Sequence, residues 1–287
     1  MEKRDRAIDA VELLYEDEEL ALCCPELLPK LEEFFQELNR VLPPECDEEF
    51  FVELADLIRV NLIANPDYKK RFLEGRMGVI TVTYELGSMG LEVARKVAQE
   101  LGYKLVYTEI LSEVAKRLGV PEWKIEDYSE FKYVPSKLSF FDLFQLDKSL
   151  IDFGALFGEK KKEITFEEFR EALVKTITAF AVSNNVVIVG HGSACILQEY
   201  PNSLHVKVEA PFHDRVKVFA ENTGLSIDEA EKQLRKIDSK EVEFYKDLCD
   251  EDVREINLFH LKLNTSKLSV ENSKELVINA FRMIVGQ

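Results

Sequence analysis

The sequence predicts an α/β fold: a parallel five-stranded sheet with helices on both faces, preceded by an all-helical N-terminal module. Three observations carry this expectation. From Val79 onward, short β-branched runs alternate with amphipathic stretches, the pattern of parallel strands joined by helical crossovers. Val186-Val187-Ile188-Val189 is uninterrupted and apolar, as befits a strand covered on both sides. Before residue 78 only helical periodicity is present.

In the N-terminal module, Ala7, Ile8, Val11 and Leu14 fall on one helical face, and Leu27, Leu31, Phe34, Phe35 and Leu38 on a second. Pro43-Pro44 ends the second run, because proline removes a donor and biases its predecessor away from helix. Asp47 is placed to cap a third helix through Phe50, Phe51, Leu54, Leu57 and Ile58. Asn65-Pro66 marks a turn, and a short helix runs to about Gly75. The module spans residues 1–77 and joins the α/β region at Gly75-Arg76-Met77-Gly78. Helices this few have little core of their own, and the joint is too short for a free tether. Phe34, Phe35, Phe50 and Phe51 are therefore expected to pack the module against residues 78–287.

In that second region, strands are expected at Val79–Thr83, Lys104–Tyr107, Val186–Val189, His205–Val208 and Leu261–Asn264. Helices are expected at Leu91–Leu101, Glu109–Leu118, Thr165–Ser183, Pro211–Thr223 and Ser226–Tyr245. Thr165 with Glu168, and Ser226 with Glu229, have capping-box spacing. Residues 124–162 are the least regular stretch, and Lys160-Lys161-Lys162 within it reads as a solvated charge run.

Composition narrows the function classes. A formal charge of −17 over 287 residues argues against nucleic acid and anionic membrane, whose binding needs Lys and Arg to neutralise phosphates. No apolar run approaches the roughly 20 residues needed to span a bilayer. The N-terminus lacks the apolar core of a signal peptide, so a cytoplasmic protein is expected. Cys23, Cys24, Cys46, Cys195 and Cys249 are odd in number and lack zinc spacing. Adjacent Cys23 and Cys24 read as free buried thiols of a reducing compartment rather than a reactive pair. His191, His205, His213 and His260 are scattered and define no triad.

The segment richest in chemistry is Tyr84-Glu85-Leu86-Gly87-Ser88-Met89-Gly90-Leu91-Glu92, a glycine-containing turn between the first strand and a helix. Such a turn aims backbone N–H groups and the positive end of the helix dipole at an anion. A phosphate cradle usually adds a lysine or arginine, whereas this loop carries none and is flanked by Glu85 and Glu92. The same glycines also serve a tight turn with no ligand.

Several colinear segments together resemble the cytidylate-kinase-like proteins, which are P-loop nucleoside monophosphate kinases. They are the strand–loop–helix at 79–101, Leu101-Gly102-Tyr103-Lys104-Leu105, and Val187-Ile188-Val189-Gly190-His191-Gly192-Ser193. Ala210-Pro211 with Arg215, the helix with Glu229-Ala230 and Asp238, and Leu263-Asn264-Thr265-Ser266-Lys267-Leu268-Ser269 complete the set. The resemblance covers roughly residues 78–285. It implies a P-loop kinase-like sheet, ATP phosphates at Gly87, Ser88, Met89, Gly90, Leu91 and Glu92, and a basic helical lid. It also implies substrate contacts at Thr108, His191, Arg215 and Lys240.

The chain departs from the family pattern at its cations. Tyr84 and Leu91 stand where arginines would be, Met89 replaces a glycine, and Glu241 replaces an arginine of the lid helix. Thr108-Glu109 replaces Asp-Arg, and Gly190-His191-Gly192 replaces Gly-Arg-Gly. Phosphoryl transfer depends on cations that align phosphates and neutralise developing charge, and one arginine can be worth roughly a thousandfold in rate. The expectation is a nucleotide-binding relative with phosphoryl transfer weakened or lost, taking ATP and magnesium weakly. The alternatives are a working nucleoside monophosphate kinase using ATP, and a ligand-free scaffold whose helical module binds a protein partner.

Overall fold

The computed structural model describes residues 5–75, 77–125, 128, 163–183, 185–249 and 257–286. Most of the irregular segment at 124–162, its three lysines included, and the side chain of Cys23 lie outside the described residues.

The N-terminal helices are α1 (Ile8–Glu16), α2 (Glu18–Cys23), α3 (Leu28–Val41), α4 (Glu48–Ala64) and α5 (Pro66–Leu73). Side chains start three of them. Asp17 accepts from the Leu20 N–H at 2.6 Å, Asp47 from that of Phe50 at 2.9 Å, and Asn65 from those of Asp67 and Tyr68 at 3.1 Å. The expected face of α1 is corrected by one position: Ala7, Ala10 and Leu14 are buried, while Ile8 is 51% exposed. Positions 7, 10 and 14 follow helical spacing, and Ile8 lies about 100° round the axis from Ala7.

The remainder runs β1 (Val79–Tyr84), α6 (Gly90–Leu101), β2 (Lys104–Val106), α7 (Glu109–Leu118), α8 (Phe166–Ser183), β3 (Val186–Val189), α9 (Ser193–Ile196), β4 (Ser203–Glu209), α10 (Phe212–Thr223), α11 (Ile227–Cys249), β5 (Leu261–Asn264) and α12 (Val270–Ile284). Both capping boxes form: Thr165 and Ser226 each exchange hydrogen bonds with the glutamate three residues on. The sheet is parallel in the order β2-β3-β1-β4-β5, with Val79 level with Val186 on one side and Ser203 on the other. Sequential strands are thus separated by crossovers, which places the loops after β1 and β3 side by side at one edge.

Alternation along the strands divides the interior in two. Ile80, Val82, Val187, Val189, Val206 and Val208 pack with α6 and α12 on one face. The other face joins Val106, Val186 and Ile188 to α7, α8 and the N-terminal helices in one larger cluster. The module therefore shares its core with the α/β region, as expected. Phe35, Phe50 and Phe51 are buried, and half-buried Phe34 meets the Phe72 ring edge-on at 5.7 Å. Thr81 and Thr83 put hydroxyls into this second face, where Thr81 Oγ1 meets His205 Nδ1 at 2.8 Å and Thr83 Oγ1 meets the Tyr245 hydroxyl at 3.0 Å. No helix among the described residues is long and apolar enough to cross a membrane.

The free-thiol expectation is corrected. Cys24 is disulfide-bonded, and Cys195 is joined to Cys249 across 54 residues of sequence, leaving buried Cys46 as a free thiol. Spacing in sequence does not report the approach of α9 to the end of α11.

Because the module and sheet share one cluster, Phe51→Ala is expected to destabilise the whole chain by about 3–5 kcal/mol. Urea unfolding followed by far-UV circular dichroism should show one transition at lower midpoint. A separate early transition for the module would contradict the shared core.

Candidate functional site

The loop leaving β1 is built by its own backbone. The Ser88 N–H donates to Glu85 O at 2.9 Å and closes a turn. Gly87 has φ +87, and a Cβ there would lie 2.6 Å from the backbone oxygen of Arg215, so no side chain fits. Met89 adopts a left-handed conformation (φ 61, ψ 17) at the N-cap of α6 and offers no side-chain cap. The first N–H groups of α6 thus lack a capping acceptor from Met89, at the positive end of the helix dipole. This arrangement suits an anion.

Other contacts fix the loop from behind. Buried Ser88 donates its hydroxyl to Val208 O at 3.1 Å, and Thr265 Oγ1 donates to Ser88 O at 2.7 Å. A Cβ on Gly90 would lie 2.2 Å from Tyr84 Cβ, so Tyr84 packs directly on the start of α6. Leu91 is 5% exposed and belongs to the cluster of Ile80, Val82, Val93 and Val97. Met89 and Glu92 are exposed.

Arg215, on α10, reaches this loop. Its Nη1 donates to Leu86 O at 3.2 Å and to Asp238 Oδ1 at 3.0 Å, and its Nη2 donates to Asp238 Oδ2 at 2.7 Å. Its Nε lies 3.3 Å from Glu85 Oε2, which also accepts the Ala210 N–H. Burial acts to lower the Arg215 pKa, but the Asp238 hydrogen bonds and the charges of Asp238, Glu85 and Glu241 hold it above its ordinary value. The arginine is a fully charged, buried bridge between the loop and α11, neutralised by carboxylates.

The remaining expected contacts fall into two places. Lys240 lies on α11, two residues beyond Asp238, and pairs with Glu243. Elsewhere on α11, Arg235 pairs with Glu231 at 2.7 Å and covers the Phe212 ring at 4.4 Å, so both cations are met by carboxylates of their own helix. Thr108 and His191 stand at the adjacent ends of β2 and β3. The Glu109 carboxylate accepts from the Tyr107 N–H at 3.2 Å and from Thr108 Oγ1 at 3.4 Å. The His191 and Tyr107 rings are 6.1 Å apart, and the Tyr107 hydroxyl meets that of Tyr84 at 2.9 Å.

His191 is fully buried within three successive residues of positive φ, Gly190 (69), His191 (55) and Gly192 (68). Burial pulls its pKa down to about 4, against a raising effect of the Tyr107 backbone. The ring is neutral at pH 7 and supplies no positive charge there. The sequence pattern marks Arg215 and Asp238 separately, and does not show that Arg215 pairs with both Asp238 and Glu85. The signal lay in three opposite charges on segments that flank one loop.

The sequence pattern of the cytidylate kinase-like family matches residues 79–267. The chain belongs to the cytidylate kinase-like family. Similar proteins include a cytidylate kinase of Saccharolobus islandicus, 22% identical over 207 residues covering 72% of this chain and 92% of the relative. One from Methanopyrus kandleri is 24% identical over 196 residues, covering 68% and 88% of the two chains. Among solved structures, an uncharacterized protein from Eubacterium ventriosum superposes with a TM-score of 0.50 at 18% identity, over 71% of this chain and 97% of that one. That likeness supports the fold.

His205 is held down in the same way as His191, to about 4, by burial and then by the charge of His260. Both folded-state values lie below the ordinary value near 6.5, so the unfolded chain binds protons first as pH falls. Stability from these two groups is complete above about pH 6.5 and is lost toward pH 4. Urea unfolding at pH 7.5 and pH 5 should differ by on the order of 2–4 kcal/mol, and His191→Asn should remove about half of that difference. Equal stabilities at the two pH values would contradict neutral burial of both rings.

Proposed function

We propose that this member of the kinase-like family binds a nucleoside triphosphate weakly at Gly87, Ser88, Met89, Gly90, Leu91 and Glu92, with phosphoryl transfer weakened or lost. The observation that carries the proposal is the state of Arg215. It touches the loop at Leu86 O, yet Asp238 and Glu85 already neutralise it, and Glu241 adds negative charge nearby. Backbone N–H groups then remain to attract phosphate, while the loop is surrounded by carboxylates. Binding to N–H groups and the dipole contributes little without cations to stabilise charge as it moves.

A magnesium ion, if held here beside the phosphates, would supply positive charge that the loop itself lacks. The fit here is partial. Exposed Glu92 offers a carboxylate oxygen, a suitable ligand type, but the Ser88 hydroxyl is engaged by Val208 O. Thr108 and His191 are proposed to border the acceptor side, with His191 as a neutral ring, and Lys240 to border the lid.

A second reading, an active ATP-dependent cytidylate kinase, is favoured by the names of the relatives. Turnover separates the two. Phosphorylation of CMP, dCMP or UMP by ATP and magnesium should be undetectable, or several orders of magnitude below the roughly 1–100 per second of typical kinases. A rate near 1 per second would establish the second reading. ATP with magnesium, at about tenfold over its Kd, should still raise Tm by roughly 2–5 °C. No saturable shift would instead favour a ligand-free scaffold.

Charge restoration refines the test. Glu241→Arg should enlarge the ATP-dependent shift, because it replaces a negative charge beside Arg215 with a positive one. Leu91→Arg should behave differently, since Leu91 is buried against the sheet. It should destabilise the chain by about 3 kcal/mol or more, without a larger ATP response. A larger ATP shift in Leu91→Arg with unchanged stability would contradict the inward placement of that side chain.

A further inference from the structure

We propose that Cys195 and Cys249 form a thiol–disulfide exchange site, through which a dithiol reductant loosens the end of α11 beside the Gly190–Gly192 turn. The bond joins two elements at the edge of the candidate site. Cys195 lies in α9, four residues long, directly after the left-handed turn that buries His191. Cys249 is the last residue of α11, the helix whose Asp238 clamps Arg215 against the loop.

Packing shows that the bond reinforces a close junction. A Cβ on Gly192 would lie 2.0 Å from Leu248 Cδ2 and 3.6 Å from Phe244 Cε1, so α11 rests on the turn itself. One turn earlier, the Tyr245 hydroxyl meets Thr83 Oγ1 at 3.0 Å, linking α11 to the strand that feeds the loop. The helix is thus held at its middle by Asp238 and at its end by Tyr245, Leu248 and Cys249. Losing the covalent attachment leaves the end of α11 to the packing of Leu248 and Phe244 and to two hydrogen bonds, Tyr245 to Thr83 and Arg170 Nε to Leu248 O at 3.4 Å.

Access distinguishes this pair from the free thiol. Cys195 and Cys249 are half-buried at the margin of the main cluster, within reach of a reductant. Cys46 is 0% exposed, and burial pushes its thiol up to about 12, so it presents neither access nor thiolate. In the exchange, one thiolate of the reductant attacks Cys195 Sγ or Cys249 Sγ and the protein S–S bond breaks. A mixed disulfide forms, and the reductant's second thiol displaces it. Two electrons pass to the protein, two protons end on the two cysteine sulfurs, and the reductant leaves as a disulfide.

The test uses the full chain purified without reductant, with dithiothreitol as the probe and no nucleotide, so its outcome is independent of the proposed ligand. Carbamidomethyl labelling of peptides containing Cys195 and Cys249 should require prior dithiothreitol. Reduction should raise amide exchange in residues 240–249 and 190–196 by about tenfold, as a local opening becomes easier, and reoxidation should restore protection. The double variant C195S/C249S should exchange at the reduced rate with or without dithiothreitol. That control separates this bond from the disulfide of Cys24. Labelling without dithiothreitol, unchanged exchange after reduction, or a double variant that responds like wild type would each overturn the proposal. Were the double variant unfolded, the reduction and reoxidation of wild type alone would still decide it.

Discussion

Burying a guanidinium beside a strand-to-helix loop requires carboxylates to meet it, because an unpaired buried charge costs several kcal/mol. Arg215, 4% exposed, is met by Asp238 from α11 and Glu85 from the loop. This network dictates much of what surrounds it. It fixes the Leu86 carbonyl, positions α11 across α10, and brings Leu86 onto the small cluster of Phe219, Leu234 and Ile237. It also concentrates carboxylates where a phosphate cradle would concentrate cations. The start of α6, which Met89 leaves without a side-chain cap, thus lies inside an acidic surrounding.

The helices on the opposite face have a different task. Lys175 of α8 pairs with Asp47 at 3.0 Å, Arg117 of α7 with Glu53 at 2.5 Å, and Arg170 with Glu45. The Tyr68 hydroxyl donates to Val182 O at 2.9 Å. Every one of these contacts joins the N-terminal module to α7 or α8. Those helices lead out of β2 and into β3, the strands whose ends carry Thr108 and His191. The module therefore braces the strand ends that carry Thr108 and His191, with buried Phe50 and Phe51 rather than the rim charges supplying most of the stabilisation.

Features with a local cause were legible in the sequence. Asp47 caps α4 because its carboxylate reaches an N–H three residues on, and Thr165 and Ser226 do the same with their glutamates. Val186–Val189 is a strand inside two layers, as its uninterrupted apolar run demands. The family resemblance rested on colinear segments, and the match to residues 79–267 bears it out. Features arising from approach in space were not legible. Ile8 faces outward by one position of helical phase, Leu91 turns into the core, and Cys195 meets Cys249 only after α11 runs its full length. Arg215 matched a family position by type, but its partners come from segments 130 residues upstream and 23 downstream of it.

The carboxylates around Arg215 are proposed to weaken an otherwise serviceable phosphate loop. Calorimetric titration of ATP with magnesium into wild type and Glu85→Gln tests it most directly, because glutamine preserves shape and can still accept the Ala210 N–H. Removing one negative charge beside the loop should tighten ATP binding by roughly five- to tenfold. Unchanged or weaker binding in Glu85→Gln, with the variant as stable as wild type, would contradict the account.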